Sequence, residues 1–122
     1  DDAIQSVTGL ALAPTTGDLV VVGIFGGTIN FGGSDLVATG PDPDVYFAVL
    51  DAADGSEQWA QPLEASGLSA AGLGALSVGA SHAFFGGELG TVIFNGGTLD
   101  VPPSFPLEAS GTSDAFLMSV GL

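Results

Sequence analysis

The chain contains neither lysine nor arginine: its 122 residues carry 14 carboxylates and one histidine, for a formal charge of −14. Salt bridges from lysine or arginine are therefore excluded. Nucleic acid is a poor partner, because affinity for phosphate backbones comes mainly from cationic side chains that displace counterions, and anionic lipid headgroups are repelled for the same reason. Cysteine is also absent, which removes disulfides and thiolate metal sites and leaves the redox compartment unreadable. Long apolar runs are missing too. The longest, "LVVVGIF" at 19–25, falls far short of the ~20 residues a membrane-spanning helix needs, and no basic segment precedes it as in a signal peptide. Membrane insertion is not expected. Neither Asn30 nor Asn95 opens an Asn-x-Ser/Thr sequon. The partners left are divalent cations, basic proteins, neutral glycans and other copies of the chain.

What is present is glycine, 20 residues of it, with 46% hydrophobic residues and only 11% charged ones. A negative field spread thinly over Gly, Ser, Thr and Ala makes a weakly hydrated surface, suited to packing against neighbours. At this length one domain is expected, burying roughly two-thirds of the surface of its unfolded form. Starting at "DDAIQ", the chain reads as a mature or excised segment.

Glycine or proline interrupts almost every window of ten, and the most helix-tolerant stretch, residues 57–76, is broken by Pro62, Gly67 and Gly72. Strands are predicted instead, at 7–13, 18–25, 44–50 and 56–63, then at 73–79, 82–87, 91–94 and 114–120, bounded by turn residues such as "TTGD" and "NGG". The two halves echo one another. "GTINFGG" at 27–33 answers "GTVIFNGG" at 90–97, placing Gly23 on Gly86, Gly27 and Thr28 on Gly90 and Thr91, and Phe31 on Phe94, while "DVYFAVL" at 44–50 answers "DAFLMSV" at 114–120. Four elements recurring in one order predict a duplicated β unit.

The run "GDLVVVGIFGGTINFGG", followed by "DVYFAVLDAADGSEQW", resembles the β-propeller repeat of bacterial surface and secreted proteins known as the SBBP type, and the resemblance covers nearly the whole chain. It implies an all-β, propeller-like tandem of two antiparallel sheets: a complete blade at 1–63, a connector at 64–72, and a second blade at 73–122 that lacks its outer strand. "DDAIQSVTGLALAP" is similar to the linker that enters a new unit. Within "AVLDAADGSEQW", the spacing of Asp51, Gly55 and Trp59 resembles the docking turn of quinone-dependent dehydrogenase propellers. Nothing resembling a quinone site accompanies it, and no cation is present to hold an anionic cofactor, so the turn is read as structural.

Chemistry has few places to reside. Asp42 and Asp44 on a proline-pinned loop, with Asp51 and Asp54 one strand later, offer carboxylates to calcium, which takes six to eight oxygens; they lack the D-x-D-x-D-G spacing and distal glutamate of a dedicated calcium loop. The alternative is that Asp44 and Asp114 open strands while Asp51 and Asp54 build a turn. His82 is the one side chain that titrates near neutrality. Alone at the start of "HAFF", it cannot assemble a zinc site, and no Gly-x-Ser-x-Gly elbow offers it a nucleophile. Glu64 and Glu108 share the context "PLEASG" and read as equivalent connectors rather than a glycosidic acid–base pair. The aromatics Phe25, Phe31, Tyr46, Phe47, Trp59, Phe84, Phe85, Phe94 and Phe116 are expected mostly in the core.

No enzyme is indicated. Two blades do not close a ring, since propellers use four to eight. The expectation is therefore a module of an extracellular or cell-surface assembly, bacterial or archaeal, whose partners are copies of itself or neighbouring repeats. The strand at Ala115, Phe116, Leu117, Met118, Ser119 and Val120 is its predicted assembly edge, with "DDAIQSV" of a neighbouring copy as the first candidate donor. A calcium- or glycan-binding module using the loops near Asp42 and Asp54 is the alternative.

Overall fold

A computed structural model of the chain describes residues 3–41, 43–66, 73–89, 93–95 and 114–122. Every element among them is a strand, all pairing is antiparallel, and no sheet closes on itself. The first sheet begins as a four-stranded meander of β1 (Gln5–Leu12), β2 (Leu19–Phe25), β5 (Asp44–Leu50) and β6 (Glu57–Ser66). Between β2 and β5 the chain makes a small hairpin from β3 (Thr28–Ile29) and β4 (Leu36–Val37). The second sheet has the order β10 (Asp114–Gly121), β8 (His82–Leu89), β7 (Leu73–Val78).

The central strands explain their own composition. "LVVVGIF" and "DVYFAVL" are buried on both faces, so they are apolar throughout rather than alternating. One face carries Val20, Val22, Ile24, Val45, Phe47 and Val49 into a core shared with Ala83, Phe85 and Val120 of the second sheet. There Phe47 lies between two rings, stacked on Trp59 at 5.3 Å and tilted against Phe85 at 5.8 Å. The other face gathers Val21, Phe25, Tyr46 and Ala48 under Leu36 of β4, with Ile29 and Phe31 packed alongside. Tyr46 contacts Phe25 and Phe31 and donates its hydroxyl to the Ser6 carbonyl at 3.2 Å. Gly23 makes this possible: a Cβ there would strike the Ser6 carbonyl oxygen and lie 2.6 Å from the Tyr46 hydroxyl.

Two hairpin loops share one construction. In residues 14–17 and 52–55 a glycine closes the turn at positive φ, 81° at Gly17 and 77° at Gly55, and donates to the carbonyl four residues back, Ala13 or Asp51. The first loop also ties the sheets together, because Thr15 Oγ1 donates to the Ala80 carbonyl in the turn between β7 and β8.

Three details depart from the sequence expectation. The stretch expected as the third strand of the second unit supplies β9 (Ile93–Asn95), which pairs with the far end of β6 and extends the first sheet. β6 accordingly runs to Ser66, three residues into the expected connector. The register of the repeat also differs by one residue. Gly23 pairs with Tyr46, whereas it is Gly87, not Gly86, that pairs with Phe116. With Gly87 taken as the counterpart of Gly23, both sheets match pair for pair, including a bulge at the same place: between Val7 and Gly9 in β1, and between Leu73 and Ala75 in β7.

Candidate functional site

Two of the carboxylates proposed for calcium, Asp44 and Asp51, do not come together. Asp44 opens β5 and Asp51 follows its last residue, so a seven-residue extended strand separates them by about 23 Å at ~3.3 Å per residue. One ion cannot bridge that distance. Asp44 is itself buried, at 1% exposure, and its Oδ2 accepts from the Thr39 backbone N–H at 2.9 Å and the Thr39 hydroxyl at 3.3 Å. Asp51 and Asp54 build the turn instead, their Oδ1 atoms accepting from the N–H groups of Ala53 and Ser56 at 2.7 and 2.9 Å. The Ser56 backbone bond, helped by the Ser56 side chain, holds the exposed Asp54 carboxyl below the ordinary aspartate range. Asp42 lies outside the described residues, and among those described no three acidic or histidine side chains form a group able to hold a metal ion.

Beside that turn, among the described residues, is a concavity with an aromatic wall. Trp59, half-buried and stacked on Phe47, lines a cleft of about 220 Å³ with Ala13, Thr16, Asp18, Val49, Gln58 and Leu122. The walls are mostly apolar and Asp18 is the only ionisable side chain among them, so the cleft offers no acid–base pair. It is the seam where the two sheets meet. His82 is exposed at the start of β8, with Nδ1 2.9 Å from the Ser81 hydroxyl and its ring 6.3 Å from that of Phe84. Glu108 lies outside the described residues, and Glu64 sits in β6 opposite Asn95 of β9.

What the surface offers is backbone and apolar side chain. β10 pairs with β8 on one side only, and β1 with β2 on one side only, so among the described residues both present a free edge. Of the predicted edge residues, Leu117 is 75% exposed, Ser119 is exposed, Met118 half-buried and Val120 buried. Ala115 and Phe116 pair with Glu88 and Gly87. The suggested donor segment is the start of β1: Gln5, Ser6 and Val7 pair with Phe25, Ile24 and Gly23, and the Ile4 carbonyl accepts from Gly26, which leaves only the other edge of this segment unpaired among the described residues. Sequence reasoning missed this because β1 and β2 pair across a turn whose length does not reveal how far the ladder runs. Of the aromatics expected mostly in the core, Phe84 is turned outward by strand alternation, 43% exposed, while its neighbour Phe85 is buried.

The described residues thus define an all-β fold of several open antiparallel sheets, with strand edges unpaired among those residues and exposed apolar strips. No protein-family model matches the chain, and neither a curated protein nor a solved structure matches it.

Proposed function

We propose that the chain is a structural module of an extracellular or cell-surface assembly, built from propeller-type repeats and joined to other copies by strand addition at β10. The observation that carries this reading is the edge of β10 left unpaired among the described residues, a strand with no lysine, proline or bulge to blunt it. Natural proteins usually protect such edges, and an extended segment that adds to one gains main-chain hydrogen bonds along its whole length. Composition supports the same reading: a weakly charged, glycine-rich surface with no cationic side chain has little to offer nucleic acid or anionic lipid and much to offer its own kind.

Hydrogen exchange on assembled and dispersed protein tests it. Amides on the outer side of β10 exchange slowly in the assembly and quickly in the dispersed chain. Equal exchange in both forms refutes strand addition there.

A further inference from the structure

The two sheets meet through different faces. The first presents the rows Gly9–Val22–Phe47 and Ala11–Val20–Val49, paired across β1, β2 and β5. The second presents Leu76–Phe85–Met118 and Val78–Ala83–Val120 across β7, β8 and β10. In the pairing that matches the two sheets, these second-sheet rows correspond to Leu10–Val21–Ala48 and Leu12–Leu19–Leu50, which lie on the opposite face of the first sheet. The contact is therefore front to back. The edge strands β1 and β7 touch in it, with the Leu76 side chain over Gly9.

A front-to-back contact between equivalent units leaves one front and one back unused among the described residues. The unused front is the outward face of the second sheet, with rows Ala75–Gly86–Leu117 and Ser77–Phe84–Ser119. Leu117 there is 75% exposed, although its counterpart Phe47 is 0% exposed. The unused back is the β1 side of the first sheet. The β3–β4 hairpin packs over β2 and β5 but leaves Val7, Leu10 and Leu12 at 60%, 61% and 60% exposure, while Leu76 and Val78, the counterparts of the two leucines, pack into the shared core. Of the eight exposed large hydrophobic side chains among the described residues, these two strips hold five. β1 and β7 contain no acidic side chain and β8 contains one, Glu88, in a chain that carries 14, so the β1 strip brings no carboxylate of its own against the outward face.

We infer that a second copy of the chain docks head to tail on the first, laying its β1 strip of Val7, Leu10 and Leu12 on the outward face at Ala75, Phe84 and Leu117. The inference rests on the assembly reading above and gives it a second, sheet-on-sheet contact. Because the two surfaces differ, the interface is heterologous: each added copy offers a fresh face, and the series ends only by closing into a ring or continues as a filament. The second copy's Leu10 sits over Ala75 as Leu76 sits over Gly9.

The absence of native cysteine makes the test clean. A Cβ placed on Gly9 would lie 2.9 Å from Leu76 Cβ, so with a real Cβ at position 75 the equivalent contact opens to roughly the 3.5–4.5 Å that a disulfide spans between Cβ atoms. Leu10→Cys and Ala75→Cys proteins, one of them isotope-labelled, are mixed under mild oxidation and the disulfide dimers identified by mass. The mixed dimer is expected to form at least about tenfold faster than either variant dimerises alone, because docking raises the local thiol concentration far above that in solution. Leu117→Glu, at an exposed site that leaves the fold intact, is expected to reduce the sedimenting assembly. If wild-type protein sediments as a monomer throughout, the assembly reading itself falls. If it assembles while mixed and single-variant dimers form at equal rates, the head-to-tail geometry is overturned and the assembly reading stands.

Discussion

Phe47 and Leu117 occupy the same position in the two sheets, and their substitution by alanine separates buried from unburied packing with one chemistry. Phe47 is wholly buried between Trp59 and Phe85. Removing its ring forfeits about 2–3 kcal/mol of transfer free energy, and the cavity left between the sheets, which collapses only in part, brings the total to about 3–5 kcal/mol. Leu117, 75% exposed, makes little of its area unavailable to water, so Leu117→Ala stays within about 0.5 kcal/mol. Domains of this size have total stabilities of about 5–15 kcal/mol, so Phe47→Ala removes a substantial part. Urea unfolding followed by far-ultraviolet circular dichroism reads both variants without relying on Trp59, whose emission changes when its stacking partner is lost. With a slope near 2 kcal/mol/M, typical for urea, the Phe47→Ala midpoint falls by about 2 M and that of Leu117→Ala barely moves. The measurement is made on dilute, dispersed protein so that assembly does not contribute. Equal small shifts in both variants would refute the packing of the two sheets through Phe47; equal large shifts would refute the outward orientation of Leu117.

Gly23→Ala drives a methyl group into the Ser6 carbonyl and the Tyr46 ring, costing about 3 kcal/mol and lowering the melting temperature by roughly 10 °C; Gly17→Ala, in open space but at φ 81°, costs only about 1 kcal/mol, and reversal of that order in thermal scans counts against the Gly23 contact. The single tyrosine, Tyr46, has its phenol pKa pushed up by burial, so above pH about 10 the unfolded chain ionises before the folded one. The stability this group contributes is complete below that pH and declines as pH rises toward the folded value; phenolate absorbance in folded protein appearing at the ordinary pH would contradict the burial. Self-association strengthens as pH falls from 7 toward the pI of about 4.1 and as salt rises at pH 7, because carboxylates with no cation to offset them repel between copies. Sedimentation at pH 7 and 4.5, in low and high salt, checks this, and an unchanged distribution contradicts it.

The amino-acid sequence by itself determined that this chain is all-β, where most strands lie, and which glycines close its loops. These are local matters. Alternating or continuous apolar runs, the closing glycines Gly17 and Gly55, and the glycines and prolines that interrupt almost every window of ten act within a few residues, and the physics that sets φ at Gly55 needs nothing from the rest of the chain. The duplicated "GT…F…GG" and "DVYFAVL"/"DAFLMSV" segments were legible too, but their register was not. Backbone pairing sets it: Gly23 lies opposite Tyr46 and Gly87 opposite Phe116, so the true counterpart of Gly23 is Gly87 rather than Gly86, and a one-residue step in a strand exchanges the two faces. Tertiary structure alone decided that Phe85 is core and Phe84 surface, that β9 joins the first sheet rather than the second, and that β5 holds Asp44 apart from Asp51. Each of these depends on which strand lies beside which over a large separation in sequence. Backbone pairing is nearly indifferent to side-chain identity, so the choice falls to the packing of whole faces.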